Sequence, residues 1–178
     1  LYEKRQAELE HLLMQTRFDA LQKQVMPHFI FNVLNSVSRL ISMKDHDRAQ
    51  QMLTAFTHMM RYNLSNPQQT VMLHQELDYV RNYLAIQQLR FGERIQYEIF
   101  SDPEIELLQL PLFTIQPLVE NSVEHGILHN SEGGQVRLFC GCSNDEVYIE
   151  LTDNGSGIDD TTLHYIQCNV LSSTASSK

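Results

Sequence analysis

A proline interrupts an apolar pattern that otherwise predicts a helix, and a histidine follows it directly. Apolar residues recur at spacings of three and four on both sides of Pro27, as one face of an amphipathic helix requires. Proline lacks an amide hydrogen and its ring crowds the carbonyl four residues back, so we expect a kink just before His28. The imidazole would then stand out from the helix. A surface histidine or a satisfied core histidine is the alternative interpretation. The pattern consists of Phe18, Leu21, Val25, Ile30, Leu34, Val37 and Ile41.

The first part of the chain predicts a helical hairpin. Residues 1–43 read as one long helix with the proline interruption, and Lys44-Asp45-His46-Asp47 reads as a polar turn in which Asp45 or Asp47 caps the next helix. A second amphipathic run over residues 49–64 stops at Ser65-Asn66-Pro67, because the residue before proline disfavours helix. Two helices with this much apolar surface cannot bury it alone. We therefore predict a dimer with a four-helix bundle, and packing of the hairpin on its own chain is the alternative.

The remaining pattern predicts an α+β unit. A third helical run covers residues 73–90, and from Ile95 the period changes to the alternation of a strand, which ends at the turn Asp102-Pro103. Residues 112–127 look helical again. Alternation in residues 136–140 and 147–151 predicts two further strands around a turn. We expect helices packed on one face of a mostly antiparallel sheet.

The charge is distributed unevenly along the chain. Residues 1–91 hold ten Lys/Arg and eight Asp/Glu, whereas residues 92–178 hold three and fourteen. This difference predicts a domain boundary near Phe91-Gly92. The acidic half is a poor nucleic-acid binder, and a phosphate-bearing ligand there would need a metal ion to bridge the charges.

Composition also indicates the cellular setting. No stretch approaches the ~20 consecutive apolar residues of a membrane span, and the charged, helical first residues do not resemble a signal peptide. The chain begins in mid-helix, so we expect it to be a fragment. Three cysteines are too few and too unevenly spaced for a disulfide framework, which favours a reducing cytoplasmic setting. Cys140-Gly141-Cys142 could bind metal, but the alternation around it predicts a strand.

A glycine-rich motif follows the last predicted strand. In Asp153-Asn154-Gly155-Ser156-Gly157, a carboxylate at a strand end can accept a hydrogen bond from an exocyclic amine such as the N6 of adenine. The glycines permit positive φ and a close approach of the backbone to a ligand. Many turns and calcium loops look similar, although no Asp-x-Asp-x-Asp pattern accompanies this one.

A second polar motif, Glu120 to Gly126, ends the predicted helix before it. Asn121 and His125 lie four residues apart on one helical face, with Glu120 and Glu124 on the adjacent face. An asparagine oxygen is a hard ligand that suits Mg²⁺, an ion that typically also bridges substrate phosphates. A zinc site with His125 and His129 is the alternative, although no third ligand is evident.

Three segments together resemble the LytS/YesM-type sensor histidine kinases. The stretch from Leu21 to Asn35 looks like their phosphoacceptor box. Residues 116–126 resemble their asparagine box, and residues 153–157 resemble their first glycine-rich box. The order and spacing of the boxes fit across nearly the whole chain.

This resemblance implies a fold and a set of roles. Residues 1–91 would be the dimerisation and histidine phosphotransfer region, and residues 92–178 would be a GHKL-type ATP-binding domain with an α/β sandwich. ATP and Mg²⁺ would be the cofactors. The residues implied are His28 as phosphoacceptor, Asn121 as Mg²⁺ ligand, Asp153 as adenine contact, and His125, Gly155 and Gly157 as further residues of the nucleotide pocket.

The function implied is autophosphorylation of His28 from Mg-ATP, followed by transfer to an aspartate of a response regulator. An imidazole in ordinary surroundings is mostly neutral at pH 7, so it can attack without a strong base. In better-known kinase families an acid follows the acceptor histidine and orients it, whereas here Phe29 takes that place. Asn32, one helical turn along, is therefore our candidate for orienting His28 or for positioning water in the reverse dephosphorylation.

The resemblance also implies features outside the three boxes. A complete member would continue through a mobile lid to a second glycine-rich segment, whereas this chain ends in the polar residues 171–178. We therefore expect an incomplete ATP site and weak or absent ATP binding by the chain itself. Sensor and membrane segments are expected before Leu1, which would make the chain the cytoplasmic portion of a membrane-anchored protein.

Two other functions compete with the kinase. A non-catalytic, dimeric GHKL-type module would bind partners or nucleotide without transferring phosphate. A metal-dependent hydrolase built on the eight histidines explains neither their scatter nor the glycine-rich motif.

Overall fold

A computed structural model describes residues 27–65, 70–143, 146–158 and 162–164. The chain forms two compact units of mixed helix and sheet, the α+β class expected from the sequence. The first unit runs to Arg90 and also includes Leu107–Leu112, and the second comprises Phe91–Glu106 and the chain from Phe113. The helices are α1 (Pro27–Ser42), α2 (His46–Ser65), α3 (Leu73–Phe91) and α4 (Gln116–Asn121), and the strands are β1 (Thr70–Met72), β2 (Ile95–Ser101), β3 (Gln109–Pro111), β4 (Gly134–Ser143) and β5 (Glu146–Asp153).

The predicted turn between the first two helices is confirmed and has a specific geometry. Lys44 adopts a left-handed φ of 60°, and the amide of Asp45 donates to the carbonyl of Leu40 at 2.9 Å. These features form a Schellman motif, which satisfies the last carbonyls of α1. The Asp45 carboxylate then accepts from the amide of Arg48 at 3.3 Å. Asp45 is therefore the cap of α2. The helix predicted before Pro27, and its kink, lie outside the described residues.

The hairpin buries one stripe of α1 within its own unit. Phe29, Val33, Val37 and Leu40 are buried, and the ring of Phe29 stacks on Tyr83 of α3 at 5.7 Å. The interpretation that the hairpin packs on its own chain therefore holds for this stripe. A second apolar stripe of α1, formed by Phe31, Leu34 and Ile41, remains exposed. The apolar face predicted from the spacing was therefore wrong at Leu34 and Ile41, because α1 packs with the side that carries Phe29, Val33 and Leu40 instead.

The division predicted at residue 91 differs from the two units in one segment. Leu107–Leu112 joins the first unit because β3 pairs antiparallel with β1, with Val71 opposite Leu110. The amide of Leu73 also donates to the carbonyl of Leu108 at 2.8 Å. Charge and periodicity cannot reveal such a crossing, because the pairing joins strands that are far apart in sequence.

A buried carboxylate links α2 and α3. Glu76 is 0% exposed, and it accepts a hydrogen bond from the hydroxyl of Tyr62. Burial, followed by this hydrogen bond and the charge of Glu76, raises the pKa of the Tyr62 phenol far above its usual value. The phenol therefore stays protonated and remains a donor to the carboxylate.

We expect Tyr62→Phe to lower the free energy of unfolding by about 1–3 kcal/mol at pH 7, because a buried carboxylate loses a hydrogen-bond donor. Urea unfolding followed by far-UV circular dichroism measures this change. Tyr148→Phe is the matched control, because the side chain of Tyr148 is 42% exposed. Equal effects of the two substitutions would contradict a special role for the buried hydroxyl.

The second unit contains a three-stranded sheet in the order β2-β4-β5. The predicted strands are confirmed, and β4 and β5 pair antiparallel as expected. The pairing of β2 with β4 is parallel, however, with Ile99 opposite Leu138, so the sheet is not mostly antiparallel. Parallel neighbours need a long crossover, and the segment that contains α4 provides it. Cys140 and Cys142 lie in β4, as the alternation predicts.

The helix predicted over residues 112–127 begins later and changes its winding. Phe113 has a φ of 63°, a left-handed conformation that cannot belong to a right-handed helix, so α4 begins only at Gln116. After Asn121 the chain continues as a π-helix over Ser122–Ile127. Such π segments often occur at functional sites. Val119, Val123 and Ile127 are fully buried on the side that faces the sheet.

Candidate functional site

His28 lies on the exposed side of α1, in the first unit. The side-chain amide nitrogen of Asn32, one helical turn along, lies 3.3 Å from Nδ1 and 3.2 Å from Nε2 of the imidazole. The neighbouring positions Phe29 and Val33 are buried and fix the rotation of the helix. Core packing therefore presents His28 to solvent with Asn32 beside it.

The contact between Asn32 and His28 does not select one ring nitrogen. In a neutral imidazole one ring nitrogen carries the proton and the other an in-plane lone pair, and the two point in different directions. A partner aligned with either nitrogen would therefore lie much farther from the other. The two nearly equal distances place the amide beside the ring rather than on either lone pair. Both nitrogens therefore remain open to another reaction partner.

The second unit contains a cavity of about 850 Å³. Four of the residues singled out in the sequence line it together: Asn121, His125, Asp153 and Gly157. Asn121 ends α4, His125 lies in the π-helix, Asp153 ends β5, and Gly157 lies in the loop after that strand. The remaining lining is mostly apolar and comprises Ile115, Leu118, Leu138, Ile149, Leu151 and Ile158, with Ser122, Gly126 and Thr162.

Two glycines bring the loop onto the π-helix. A Cβ placed on Gly155 would lie 2.5 Å from Cα of Gly126 and 2.7 Å from its carbonyl oxygen. A Cβ on Gly126 would in turn lie 3.0 Å from the carboxylate of Asp153. Only residues without side chains permit this approach. Gly155 thus shapes the cavity by letting the loop approach the π-helix, whereas Gly157 lines the cavity directly.

Backbone and side-chain hydrogen bonds hold the loop in this position. The amide of Gly155 donates to Asp153 at 3.0 Å, which fixes one carboxylate oxygen. Ser156 donates from its amide to the carbonyl of Gly126 at 3.2 Å and from its hydroxyl to the carbonyl of His125 at 3.1 Å. The side chain of Asn154 accepts from the amide of Gln135 on β4 at 2.6 Å.

The cavity has the size and lining of a small-molecule pocket. Its volume falls in the range of small-molecule sites, about 300–1,000 Å³, and its walls are mainly apolar with few polar groups. Asp153 supplies the one carboxylate among the described lining residues, and no lysine or arginine is among them. A base would fit between the apolar walls. Phosphates beside this lining would need a cation for charge neutralisation, and Asn121 offers a hard oxygen ligand for Mg²⁺.

The geometry gives little support to the two alternative metal sites, one at His125 and His129 and one at Cys140 and Cys142. The rings of His125 and His129 stack at 6.0 Å, and Nδ1 of His129 lies 2.7 Å from the carbonyl oxygen of Glu124. Within the part of the chain that the structure describes, no group of three or more His, Cys, Asp or Glu residues could hold a metal ion. Both cysteines lie in β4, where Cys140 is buried and Cys142 is exposed.

Comparison with known proteins decides the family. Residues 16–95 match the family model described as histidine kinase. The chain is 36% identical over 163 residues to the sensor protein LytS of Staphylococcus haemolyticus, a match that covers 90% of the chain and 28% of that protein. It is 35% identical over 153 residues to the sensor histidine kinase BtsS of Escherichia coli K12, covering 86% and 26%. The chain belongs to the LytS-type sensor histidine kinase family.

The histidine kinase match covers His28 and Asn32 but ends before the cavity of the second unit. The LytS and BtsS matches extend over most of the chain, although the chain spans only about a quarter of the length of these relatives. No helix in the described ranges is long and apolar enough to cross a membrane.

Several residues that build the cavity of the second unit were not identified from the sequence. The sequence analysis named Asn154 and Ser156 only as members of the glycine-rich motif and gave them no role. Gly126 was named only as the end of the second polar motif, whereas its main feature is the close approach of Gly155. One signal that could have found it is the pairing of a helical glycine with a loop glycine across two motifs. The apolar lining carried no signal, because apolar residues are equally expected in a core.

Proposed function

We propose that the chain is the phosphotransfer and nucleotide-binding part of a two-component sensor histidine kinase. The observation that carries this proposal is the cavity of the second unit, where Asn121 and His125 of one motif meet Asp153 and Gly157 of another. Membership of the histidine kinase family and the exposure of His28 support this residue as the phosphoacceptor. We also propose the fold of the two parts: a helical bundle formed by two copies of the chain, followed by a GHKL-type α/β sandwich.

The residues of the cavity have separate tasks in this proposal. Asp153 accepts a hydrogen bond from the amine of adenine, since Gly155 already holds one of its oxygens in place. Asn121 provides an oxygen to Mg²⁺, whose charge offsets that of the phosphates. His125 and Gly157 complete the pocket wall. Because the second half of the chain is strongly acidic, the cation is required for a triphosphate to bind there.

His28 is the phosphoacceptor in this proposal. The lone pair of one ring nitrogen attacks the γ-phosphorus of ATP, the bond from that phosphorus to the β,γ-bridging oxygen breaks, and ADP leaves with the electrons of that bond. Such a transfer depends mainly on positioning and charge neutralisation. The phosphoryl group then passes to an aspartate of a response regulator. The protein would be anchored in the inner or plasma membrane with this part in the cytoplasm.

The direct test is incubation of a longer protein that contains this chain and the complete ATP site with γ-labelled ATP and Mg²⁺. We expect protein-bound label that is lost in acid and stable in alkali, as a phosphorus–nitrogen bond on histidine requires. Nucleotide binding without label in every form of the protein would instead support the non-catalytic interaction module.

Asn32→Ala is expected to lower the rate of His28 phosphorylation by about tenfold, because the imidazole loses its neighbouring amide. Initial rates of label incorporation and of label loss after removal of ATP are the measurements. Gln51→Ala is the matched control, since Gln51 is an exposed amide side chain on α2, outside the stretch that resembles the phosphoacceptor box. Unchanged rates in both directions for Asn32→Ala would remove this residue from the mechanism.

The exposed stripe of the hairpin supports a homodimer. Phe31 is 65% exposed and Leu34 is 48% exposed, and Ile41 lies on the same side of α1 by helical spacing. Contiguous exposed apolar surface of this kind marks interaction sites. A second copy of the hairpin would cover it and complete a four-helix bundle, in which each copy contributes the same stripe.

Leu34→Glu is therefore expected to raise the dimer dissociation constant by at least about a hundredfold, because each copy would bring a charge into the apolar interface. Sedimentation equilibrium measures the constant directly. Leu107→Glu provides a control at a residue that is 71% exposed outside the hairpin. A monomeric starting protein would contradict the bundle.

A further inference from the structure

The outer face of the three-stranded sheet carries a row of exposed aromatic rings, one from each strand. Phe100 of β2 is 70% exposed, Phe139 of β4 is 41% exposed and Tyr148 of β5 is 42% exposed. Phe139 lies 6.0 Å from Phe100 at an interplanar angle of 7°, and 5.8 Å from Tyr148 at 14°. The three rings therefore form one nearly continuous π surface, which we term the aromatic row.

Gly141 allows the aromatic row to lie flat. A Cβ at this position would lie 2.8 Å from Cε1 of Phe139 and 2.9 Å from the hydroxyl oxygen of Tyr148. Two aromatic rings covering a strand glycine can be a structural device that stabilises the sheet. That device does not account for Phe100, which stacks on the far side of Phe139 and is the most exposed of the three rings.

The charges around the aromatic row are predominantly negative. Glu146 and Glu150 alternate with Tyr148 along β5, so their side chains lie on the same face of the sheet. The cation of this face, Arg137, pairs with Glu98 at 3.1 Å. The rings are therefore bordered by carboxylates on β5, and among the described residues no ion pair involves Glu146 or Glu150.

We propose that the aromatic row and Glu150 form a docking surface for an arginine-bearing segment of a partner polypeptide. A guanidinium group is planar, stacks on aromatic faces and donates hydrogen bonds to carboxylates, so it matches both components of this surface. A lysine ammonium is more strongly hydrated and does not stack in the same way. Nucleic acid is excluded as the occupant by the acidic charge of this half of the chain.

The test uses the full chain and two short fluorescent peptides, one of alternating arginine and glycine and one with lysine in place of every arginine. Fluorescence anisotropy at physiological salt should show saturable binding of the arginine peptide, with the lysine peptide weaker by about tenfold. Phe139→Ser and Glu150→Gln should each weaken binding of the arginine peptide by at least about fivefold.

Two controls exclude a general effect of charge or folding. Leu107→Ser and Glu104→Gln change an exposed apolar residue and an exposed carboxylate away from the sheet, and both should leave binding unchanged. Gly141→Ala displaces the rings without removing them and should weaken binding while the circular dichroism spectrum persists. Absence of binding, equal affinity for the two peptides, or equal affinity of Phe139→Ser would overturn the proposal. A loss of self-association in Phe139→Ser would assign the surface to a second copy instead.

Discussion

His28→Gln is expected to abolish incorporation of label from γ-labelled ATP, the largest effect that we predict for any substitution. Glutamine keeps a polar side chain of similar reach, but its amide nitrogen has no available lone pair for attack on phosphorus. His28 is exposed on α1, and the buried neighbours that orient the helix are unchanged by the substitution. The fold should therefore persist while the acceptor is lost.

Label retention after acid and after alkali treatment is the measurement for this variant. His46→Gln is the matched control, because His46 is exposed at the start of α2 and has no proposed role. Nucleotide affinity should be the same in both variants, since the cavity of the second unit contains neither residue. Persistent acid-labile label in His28→Gln would show that another residue is the phosphoacceptor.

Gly155→Ala is expected to produce the second largest effect, a loss of nucleotide affinity of at least about tenfold. The new Cβ would lie 2.5 Å from Cα of Gly126, a backbone atom that cannot swing aside. The loop must then move away from the π-helix, which strains the hydrogen bonds of Ser156 and displaces Asp153. Overpacking of this kind costs about 1–3 kcal/mol in stability as well.

Isothermal titration calorimetry with Mg-ATP and with ADP, on a longer protein that contains the complete ATP site, measures this effect, alongside urea unfolding. Gly92→Ala is the control, since Gly92 has a φ of 65° but no atom within 4 Å of the added Cβ. That substitution should cost about 1 kcal/mol of stability through backbone strain alone and leave affinity unchanged. If Gly155→Ala binds nucleotide as tightly as the unchanged chain, the close approach of the two glycines does not shape the site.

Local features of the fold were predictable because they depend on nearby residues. The end of α2 at Ser65, the extent of α3, the strand from Ile95 and the cap at Asp45 follow from periodicity, proline and side-chain capping. The helix before β4 was predicted to begin too early. Its start depends on the left-handed backbone of Phe113, a conformation that composition does not signal because non-glycine residues adopt it rarely.

The candidate site also combines features that the sequence predicted with features that it did not. Its motifs and the identities of Asn121, His125, Asp153 and Gly157 were visible as residue patterns, and family resemblance supplied the roles proposed for them. The apolar wall formed by residues such as Leu118 and Ile149 was not predictable. Its members range from the fully buried Ile115 and Leu138 to the exposed Leu118 and Ile158, and only their common position around one cavity distinguishes them from other apolar residues.

By itself, the sequence determined that His28 lies on a helix, because a helical period is a local property of the chain. It also determined that Asn32 would lie one turn from His28. The face that α1 buries was predicted wrongly, since only packing decided that Phe29, Val33 and Leu40 rather than Leu34 and Ile41 turn inward. Tertiary structure alone decided the parallel pairing of β2 with β4, the burial of Glu76 beside Tyr62, and the meeting of Gly126 with Gly155. These contacts join segments distant in sequence, and their partners are selected by packing of the whole unit rather than by any local preference.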